Sequence, residues 1–297
     1  RYNETALPTH IYVGTAGNQG SSAQYCRTVT FASGATDSTS GLRGYYAITN
    51  NAKNAVIVGA LVPGGNLALG SYSSRGPTWD GRIKPDITAV GSMMSTRHIL
   101  GPNDESYVSK GGTSMAAPAV AGIVALMLEQ YEISFPNAER PLPALIKALL
   151  LQTAIDLTHV PTDPGYTAYG WNEIDSGEEI VYHPGPDFAT GYGAVNADRA
   201  VAAVAGNAFR TGTVSPDNLV AEFPVSVSSS QTEIKFTLAW DDEEGDATSA
   251  TRMNTPELVN DLDLVLISPD GTYHYPWILQ IPPRHNNYAT NNRWRET

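Results

Sequence analysis

Short apolar runs alternate with helical stretches over the first 205 of the 297 residues, a pattern typical of a parallel sheet covered by helices. Residues 10–14 and 55–60 are predicted to be short strands, and the second run has no polar alternation, as expected for a strand buried on both faces. Helical patterns occupy residues 114–129, 143–155 and 196–205. The sequence therefore predicts a three-layer α/β fold, with a parallel sheet between helices on both faces.

The chain changes character after Asn207, where β-type alternation replaces the helical periods. Apolar and polar residues alternate over 232–240. A second apolar run at 262–267 is closed by a Ser-Pro-Asp-Gly turn, after which residues 273–277 would return antiparallel. This spacing predicts an antiparallel β-sandwich. We therefore expect a first domain at residues 1–208 and a sandwich or jelly-roll-like domain at residues 209–297, whose remaining strands would lie beyond this chain.

Composition and charge argue against several kinds of binding partner and structural feature. The chain has 18 Lys and Arg against 30 Asp and Glu, a net charge of −12, and this balance disfavours nucleic acid and anionic lipid surfaces. The longest apolar stretch, residues 116–128, has 13 residues and contains Pro118 and Gly122, so we expect no membrane span. A single cysteine, Cys26, excludes an intramolecular disulfide.

The most informative segment is residues 110–118, which read Lys-Gly-Gly-Thr-Ser-Met-Ala-Ala-Pro. Two glycines lead into Ser114, and an apolar helix follows. A serine in this position can be a helix N-cap. It can equally be a nucleophile, because the N–H groups and the positive end of the helix dipole then lie close to its point of attack.

Residues 112–118, Gly-Thr-Ser-Met-Ala-Ala-Pro, resemble the active-site serine block of the subtilisin-like serine proteases (subtilases). The resemblance implies that Ser114 is the nucleophile. Residues 15–20, Thr-Ala-Gly-Asn-Gln-Gly, are similar to the segment whose asparagine completes the oxyanion hole, which implies Asn18 as one donor and the Ser114 N–H as the other. It also implies a set of substrate-binding residues: Thr15, Ala16, Gly17, Gly112 and Thr113.

Further blocks carry the same resemblance at residues 73–77, 84–87 and 191–196, so it covers about residues 10–205. Residues 234–277 resemble the β-sandwich that follows the catalytic domain in some bacterial subtilases. Two departures are minor: Val90 stands where the family usually has proline, and Ala119 stands where many members have histidine. The implied activity is a secreted serine endopeptidase that forms an acyl-enzyme on protein or peptide substrates and needs no cofactor. Its signal peptide would lie outside this chain.

The catalytic base and its carboxylate partner are the missing part of this site. In subtilases both precede the oxyanion asparagine, yet the 17 residues before Asn18 contain His10 and no Asp. His10 lies in the predicted first strand and lacks the Gly-Thr context of the family's histidine block. We therefore expect the Asp and His upstream, in an N-terminal portion of the same protease that would be a partner of this chain, and we expect this chain alone to be inactive or nearly so.

Two other functions remain open from the sequence. Residues 112–116 approximate the Gly-x-Ser-x-Gly elbow of an α/β-hydrolase esterase, in which the acid and histidine follow the serine. Residues 107–110 form a poor strand for such an elbow. The absent Asp and His also suit a non-catalytic, subtilase-like binding module. The partners for the esterase would be drawn from a set of five residues: Asp156, Asp163 or Asp187 with His159 or His183.

Acidic residues in the predicted sandwich raise the question of a metal. Asp241, Asp261 and Asp263 are candidate ligands for a structural Ca²⁺ ion, which prefers oxygen donors. Asp261 and Asp263 lie two residues apart on a predicted strand and so would share a face. No EF-hand pattern is present, and acidic loops in an acidic chain are commonly just solvated. Subtilases often bind structural calcium, which favours the metal slightly.

Overall fold

A computed structural model describes residues 9–20, 28–30, 36–38, 47–63, 67–78, 80–97, 107–157, 159–160, 180–181, 184–228, 234–245, 257–279 and 293–295. Three helices lie in these ranges: α1 Thr113–Ser134, α2 Pro143–Thr153 and α3 Ala197–Ala205. The strands in the same ranges, in chain order, are β1 Val13–Thr15, β2 Thr28–Thr30, β3 Thr36–Ser38, β4 Val56–Leu61, β5 Ile87–Val90, β6 Ser92–Arg97, β7 Tyr107–Gly111, β8 His159–Val160, β9 Ile180–Val181, β10 Leu266–Ile267, β11 Tyr273–His274, β12 Trp277–Leu279 and β13 Arg293–Arg295.

The core sheet is parallel, in the order β1-β4-β5. Val13 pairs with Val56 and Val58 pairs with Ile87, so the three strands run in register. Every residue of β4 is buried, which confirms the prediction of a strand covered on both faces. Because the strands are parallel, their carboxyl ends meet at one edge of the sheet.

Helix α1 is the central helix of the fold, and its buried residues pack against β1, β4 and β5. Alanines and valines on this face let the helix lie close to the sheet. Pro118 is the sixth residue of α1, so its ring removes the N–H that would otherwise bond the carbonyl of Ser114, and the helix continues past it to Ser134. Helices α2 and α3 pack on one another, and α3 also contacts α1. The core comprises mainly Val56, Val58, Ile87, Val120, Met127, Ile146, Leu150 and Val204.

The helices differ from the predicted ranges only at their ends. α1 begins at Thr113 and runs five residues further than predicted, to Ser134. α3 begins after Asn196, whose side-chain oxygen accepts a hydrogen bond from Arg199 N and so caps the helix. At 22 residues α1 is long and apolar enough, by length and composition alone, to cross a membrane. A core helix of an α/β domain meets the same criterion, and the buried face of α1 packs on the sheet.

The region after residue 209 contains less regular structure than the alternation predicts. Residues 234–240 form no regular strand, and the predicted strand at 262–267 is reduced to β10, which pairs antiparallel with β11. The predicted turn between them is confirmed, since Gly271 N donates to Ser268 O at 2.9 Å. The described residues of this region form no β-sandwich, and the side chains of Ile234 and Phe236 are exposed. The sandwich and the domain boundary near residue 208 therefore stay predictions.

Part of this region docks on the α/β unit through Asp242, whose carboxylate is buried. Lys53 Nζ lies 2.6 Å from Asp242 Oδ2, and the backbone N–H groups of Val259 and Asn260 donate to the same carboxylate at 3.0 and 2.9 Å. Asn54 pairs with the Asp242 backbone, donating at 2.8 Å and accepting at 2.9 Å. One carboxylate thus joins residues 257–260 to the loop before β4.

Candidate active site

The candidate site lies at the carboxyl edge of the parallel sheet, where open α/β sheets commonly bind their ligands. Strand β1 ends three residues before Asn18, and β5 ends one residue before Gly91. The Gly112 N–H donates to Gly91 O at 2.7 Å, which fixes the start of α1 at the end of β5. Ser114 and Asn18, distant in sequence, are therefore brought to the same edge.

Ser114 is the second residue of α1, and its side chain is exposed. The N-cap is Gly112, and no side chain caps this helix, so the N-cap explanation of Ser114 is wrong. Among the described residues, the Ser114 N–H makes no hydrogen bond, as is general for the first turn of a helix. The hydroxyl thus stands beside a free donor at the positive end of a 22-residue helix.

The carboxamide of Asn18 has a defined orientation. Its Oδ1 accepts two hydrogen bonds from Thr113, from N at 2.9 Å and from Oγ1 at 3.0 Å. A backbone N–H can only donate, so the atom facing Thr113 must be the oxygen, and the NH₂ group must point away from it. A Cβ built on Gly112 would lie 3.3 Å from Asn18 Nδ2, so the NH₂ group lies beside the residue that precedes α1.

Glycine is required next to Asn18. Gly17 has a φ of +110°, which L side chains rarely adopt. A Cβ here would lie 2.5 Å from Gln19 Oε1 and 2.8 Å from Ser74 Oγ. The Gly17 N–H in turn donates to Thr113 Oγ1 at 3.3 Å. Close packing around Gly17 therefore fixes the backbone that carries Asn18.

The residues predicted to bind substrate are mostly enclosed. Ala16 and Thr113 have no exposed surface, Gly17 and Gly112 are buried, and Thr15 is half-buried. The Thr113 side chain is used to hold Asn18, and Ala16 is tied to the sheet through Val58 O at 2.9 Å. The side chains of Ala16 and Thr113 thus support the site from within, and their predicted contact with substrate stays untested.

Within the described part of the chain, no hydrogen bond joins Ser114 Oγ to a base. His10 lies before β1, is exposed and does not belong to the strand, so its predicted position in the core is wrong. The esterase arrangement is not favoured either. Both oxygens of Asp187 are taken by its own loop, through Ala189 N and the backbone and hydroxyl of Thr190.

The other residues proposed for an esterase do not support that function either. Asp156 accepts a hydrogen bond from Gly185 N, His159 begins β8, and Asp163 and His183 lie outside the described residues. Residues 107–110, predicted to be a poor strand, do belong to β7. However, β7 pairs antiparallel with β6 in a separate two-stranded sheet, whereas an elbow follows a buried strand of the main sheet.

The candidate calcium ligands do not gather into a cage. Asp241 Oδ2 accepts from Ala144 N at 3.3 Å, in the first turn of α2, where a carboxylate is favoured by the helix dipole. Asp261 and Asp263 are exposed. In the ranges that the structure describes, no three acidic, histidine or cysteine side chains lie close enough to share a metal ion. These residues therefore do not fit a Ca²⁺ site as a group.

A buried ionic cluster lies at the amino ends of β4 and β5, and the sequence pattern predicts no function for it. Lys84 Nζ lies 2.5 Å from Asp86 Oδ2, Lys147 Nζ lies 3.0 Å from Asp86 Oδ1, and Ile57 N donates to Asp86 Oδ2 at 2.7 Å. Burial lowers the pKa of Lys84 by more than the attraction of Asp86 raises it, and the resulting pKa is about 7. Burial raises the pKa of Asp86, but Lys147 and Lys84 together hold it below its usual value.

The fold and the site define a class of protein: an α/β protein with an exposed serine at the start of a central helix and an oriented carboxamide beside it. Comparison with known families gives the family itself. The model of the subtilase family, Peptidase_S8, matches residues 3–193. The chain belongs to the subtilase family, a family of serine proteases.

Individual relatives are distant and much longer. The serine protease/ABC transporter B family protein tagD of Dictyostelium discoideum is 27% identical over 251 residues, which cover 68% of this chain and 13% of that protein. The C5a peptidase of Streptococcus pyogenes serotype M18 is 45% identical over 69 residues, 23% of this chain and 6% of that protein. Fervidolysin from Fervidobacterium pennivorans, a keratinolytic enzyme related to subtilisin, is 26% identical over 65% of this chain and 22% of that structure, with a TM-score of 0.35.

Proposed function

We propose that this chain carries the nucleophile and the oxyanion-binding half of a serine endopeptidase site. The observation that carries the proposal is the pair of hydrogen bonds from Thr113 to Asn18 Oδ1, which leaves the Asn18 NH₂ group directed away from Thr113 beside the start of α1. Ser114 lies on the same helix; it is exposed, and its backbone N–H donates to none of the residues that the structure describes. Two preorganised donors next to a nucleophile are what an acyl-transfer site requires.

In the proposed reaction, Ser114 Oγ attacks the carbonyl carbon of the scissile peptide bond while a base takes the hydroxyl proton. The carbonyl oxygen becomes an oxyanion, which accepts hydrogen bonds from the Ser114 N–H and from Asn18 Nδ2. When the tetrahedral intermediate collapses, the carbon–nitrogen bond breaks and the amine leaves with the proton from the base. Water then hydrolyses the Ser114 ester and restores the hydroxyl. No cofactor enters these steps.

The base and its carboxylate are proposed to come from an N-terminal portion of the same protease. One face of α1 supports this, because small and apolar side chains on it are exposed, Leu126 to 50%. A core helix of an α/β domain normally covers its apolar residues. The exposed set begins one turn after Ser114, so an element packed on it would lie beside the nucleophile; it comprises Pro118, Ala121, Gly122, Ala125 and Leu126.

Labelling with a biotinylated fluorophosphonate tests the proposal, because this reagent reacts rapidly with a serine only when a base activates it. We expect rapid labelling of the full-length protease, loss of labelling in Ser114→Ala, and slow labelling of this chain alone. The matched control is Ser109→Ala, which removes another exposed serine near the site. A full-length protein that is folded yet unlabelled at Ser114 would support the non-catalytic binding module instead.

Two further expectations accompany this proposal. We propose secretion, which fits an acidic chain with a pI of about 4.8 and is checked by locating the natural protein inside or outside the cell. Structural calcium stays a prediction for the protease as a whole. It is checked by comparing the thermal unfolding midpoint in CaCl₂ and in EDTA, where equal midpoints would exclude a stabilising calcium ion.

A further inference from the structure

We infer that Ser74 is a positioning residue for Asn18: it holds the two peptide groups on either side of Asn18 and thereby sets the direction of the oxyanion-binding carboxamide. The inference rests on the proposed function. Ser74 lies 56 positions after Asn18 in the chain, has no exposed surface, and takes no part in the reaction steps.

Ser74 contacts both neighbours of Asn18. Its backbone N–H donates to Gly17 O at 3.0 Å, and its Oγ accepts from Gln19 N, also at 3.0 Å. The Ser74 hydroxyl proton is directed to Gln19 Oε1 at 3.1 Å, which leaves a lone pair of Oγ free for the Gln19 N–H. A single residue therefore binds one atom of each peptide group that flanks Asn18.

These two contacts restrict the backbone torsion angles of Asn18. The peptide group before its Cα contains Gly17 O, and the peptide group after its Cα contains Gln19 N. Because each peptide group is planar, holding one atom of each plane restricts both φ and ψ of the residue between them. The Cα–Cβ bond of Asn18 follows from φ and ψ, so Ser74 restricts where the carboxamide can reach.

Ser74 can act in this way because it is itself anchored to the sheet. The backbone N–H of its neighbour Ser73 donates to Gly70 O at 2.8 Å, and Gly70 N donates to Ala60 O of β4 at 2.8 Å, so backbone bonds tie this segment to the sheet. Tyr72 O accepts from Gly20 N at 2.8 Å, which ties the next turn of the Asn18 loop to the same segment. Displacement of a catalytic donor by about 1 Å can lower a rate by about a hundredfold, so a rigid support has kinetic value.

The neighbouring serine supplies a matched control. Ser73 and Ser74 are both fully buried, and each hydroxyl accepts a backbone N–H at 3.0 Å, so Ser73→Ala and Ser74→Ala remove the same chemical group. Of these two serines, Ser74 is the one that bonds the neighbours of Asn18. In the full-length protease we expect kcat on a peptide substrate to fall about tenfold in Ser74→Ala, with KM within about twofold, and kcat in Ser73→Ala to stay within about twofold of wild type.

A double-mutant cycle distinguishes positioning from general damage. Asn18→Ala should lower kcat by about a hundredfold or more, as found on removing the oxyanion-hole asparagine of a subtilisin. In that background, Ser74→Ala should lower kcat no further. Equal kcat in Ser73→Ala and Ser74→Ala, or additive losses in the cycle, would overturn the inference. An unchanged kcat in Asn18→Ala would instead overturn the proposed function.

Two additional measurements cover the case in which Ser74→Ala does not fold. Gln19→Met removes the acceptor of the Ser74 hydroxyl at a half-buried position, and it should lower kcat by a few-fold at unchanged KM. The side-chain NH₂ resonance of Asn18 can also be followed by NMR in this chain alone, where it is assigned by its loss in Asn18→Ala. It should broaden or shift in Gln19→Met and stay unchanged in Ser73→Ala, and an unchanged resonance in Gln19→Met would contradict the inference.

Discussion

Thr113 binds one oxygen of Asn18 twice, through its backbone N–H at 2.9 Å and its hydroxyl at 3.0 Å. The two residues lie 95 positions apart, at the ends of different elements, and meet only because β1 and α1 share one edge of the fold. The contact joins the residue before Ser114, the proposed nucleophile, to the proposed oxyanion donor. It therefore couples the start of α1 to the end of the β1 segment.

The hydroxyl half of this contact can be removed by Thr113→Val, which keeps the backbone N–H bond. A hydrogen bond of this kind contributes about 1 kcal/mol, so we expect kcat of the full-length protease to fall by about fivefold with little change in KM. Thr190→Val is the control, since Thr190 is also fully buried and donates to Asp187 Oδ2 at 2.7 Å, away from the site. Equal effects on kcat in the two variants would exclude a specific role for Thr113.

Two glycines of the same segment should respond in opposite ways to alanine. Gly112 has φ 149° and ψ 162°, a region open essentially to glycine alone, and a Cβ there would crowd Asn18 Nδ2. Gly122 lies inside α1 with nothing within 4 Å of its would-be Cβ. We expect Gly112→Ala to lower the free energy of unfolding by about 1–3 kcal/mol and to reduce kcat.

Gly122→Ala should instead raise the free energy of unfolding of this chain by about 0.5–1 kcal/mol, because alanine is the better helix former. Urea unfolding of the two variants measures the difference. A stabilised Gly112→Ala protein would show that the backbone before Ser114 is not strained for other residues.

The sequence was sufficient for the parts of the fold that depend on local pattern. The unbroken apolar run of β4, the small apolar residues of α1 and the alanine-rich composition of residues 196–205 each predict their element within a few residues. Ser114 and Asn18 could be singled out because each lies in a short string with a known counterpart. The family itself is confirmed over residues 3–193.

Long-range contacts explain what sequence pattern could not predict. The role of Ser74 depends on hydrogen bonds to residues 55 and 57 positions away, and the role of Thr113 depends on a hydrogen bond to a residue 95 positions away. A local sequence pattern cannot predict contacts over such separations. The acidic run predicts Asp241 as a candidate ligand, whereas its neighbour Asp242 is the one that is buried and paired with Lys53. Apolar and polar residues alternate over 234–240, as they do in a half-buried strand. A strand also needs a neighbouring strand with which to form hydrogen bonds, and local alternation does not show whether one is present.

The buried Lys84 should make stability depend on pH above neutrality. In the unfolded chain its pKa is near 10.5, and burial lowers it to about 7 in the folded state. Between these values the unfolded state holds the extra proton, so the free energy of unfolding should rise with pH, by up to about 1.4 kcal/mol per pH unit for this group. Urea unfolding from pH 7 to 9.5 measures the slope, at pH values below the range where Tyr192, with its pKa raised to about 12, matters.

Lys84→Met should abolish that component of the slope while lowering stability overall, because Asp86 then keeps only Lys147 as a cationic partner. The two proteins are compared at the same ionic strength. An identical slope in Lys84→Met would show that another group is responsible.

The exposed face of α1 gives a test of the proposed N-terminal portion. Leu126 is 50% exposed, so Leu126→Asp should change the stability of this chain by no more than about 0.5 kcal/mol. If the N-terminal portion covers this face, the new carboxylate would be buried there without a partner, which is strongly unfavourable. We therefore expect fluorophosphonate labelling of Ser114 to be restored by co-expression of the N-terminal portion with the wild-type chain and lost with Leu126→Asp.

An exposed alanine on another helix provides the control for that experiment. Ala205→Asp, at the end of α3, introduces the same charge away from the exposed α1 face. Labelling restored equally in Leu126→Asp and Ala205→Asp would mean that the face around Leu126 is not the contact.

The final prediction concerns the contact between residues 257–260 and the α/β unit. Burial raises the pKa of Asp242, but the bonds from Lys53, Val259 and Asn260 outweigh it and lower the pKa to about 2. Removing this carboxylate in Asp242→Ala leaves Lys53 Nζ with the carbonyl of Glu257 at 2.8 Å but without its anionic partner, and breaking a buried ion pair costs about 3–5 kcal/mol. The Asp242 carboxylate takes up a proton near pH 3.8 in the unfolded chain but only near pH 2 in the folded state. The stabilisation from this carboxylate should therefore be present above about pH 4 and be lost as the pH falls from there toward 2.

Limited proteolysis combined with urea unfolding measures this contact, because undocking should expose residues 234–245 and 257–260 before the α/β unit unfolds. Asp241→Ala is the matched control, since the exposed Asp241 accepts a 3.3 Å bond from Ala144 at the start of α2, a contact that contributes at most about 1 kcal/mol. We expect faster cleavage and loss of the acid-dependent component in Asp242→Ala alone. Equal protection of both variants at pH 7 would show that the apolar contacts of this region hold it in place without the carboxylate.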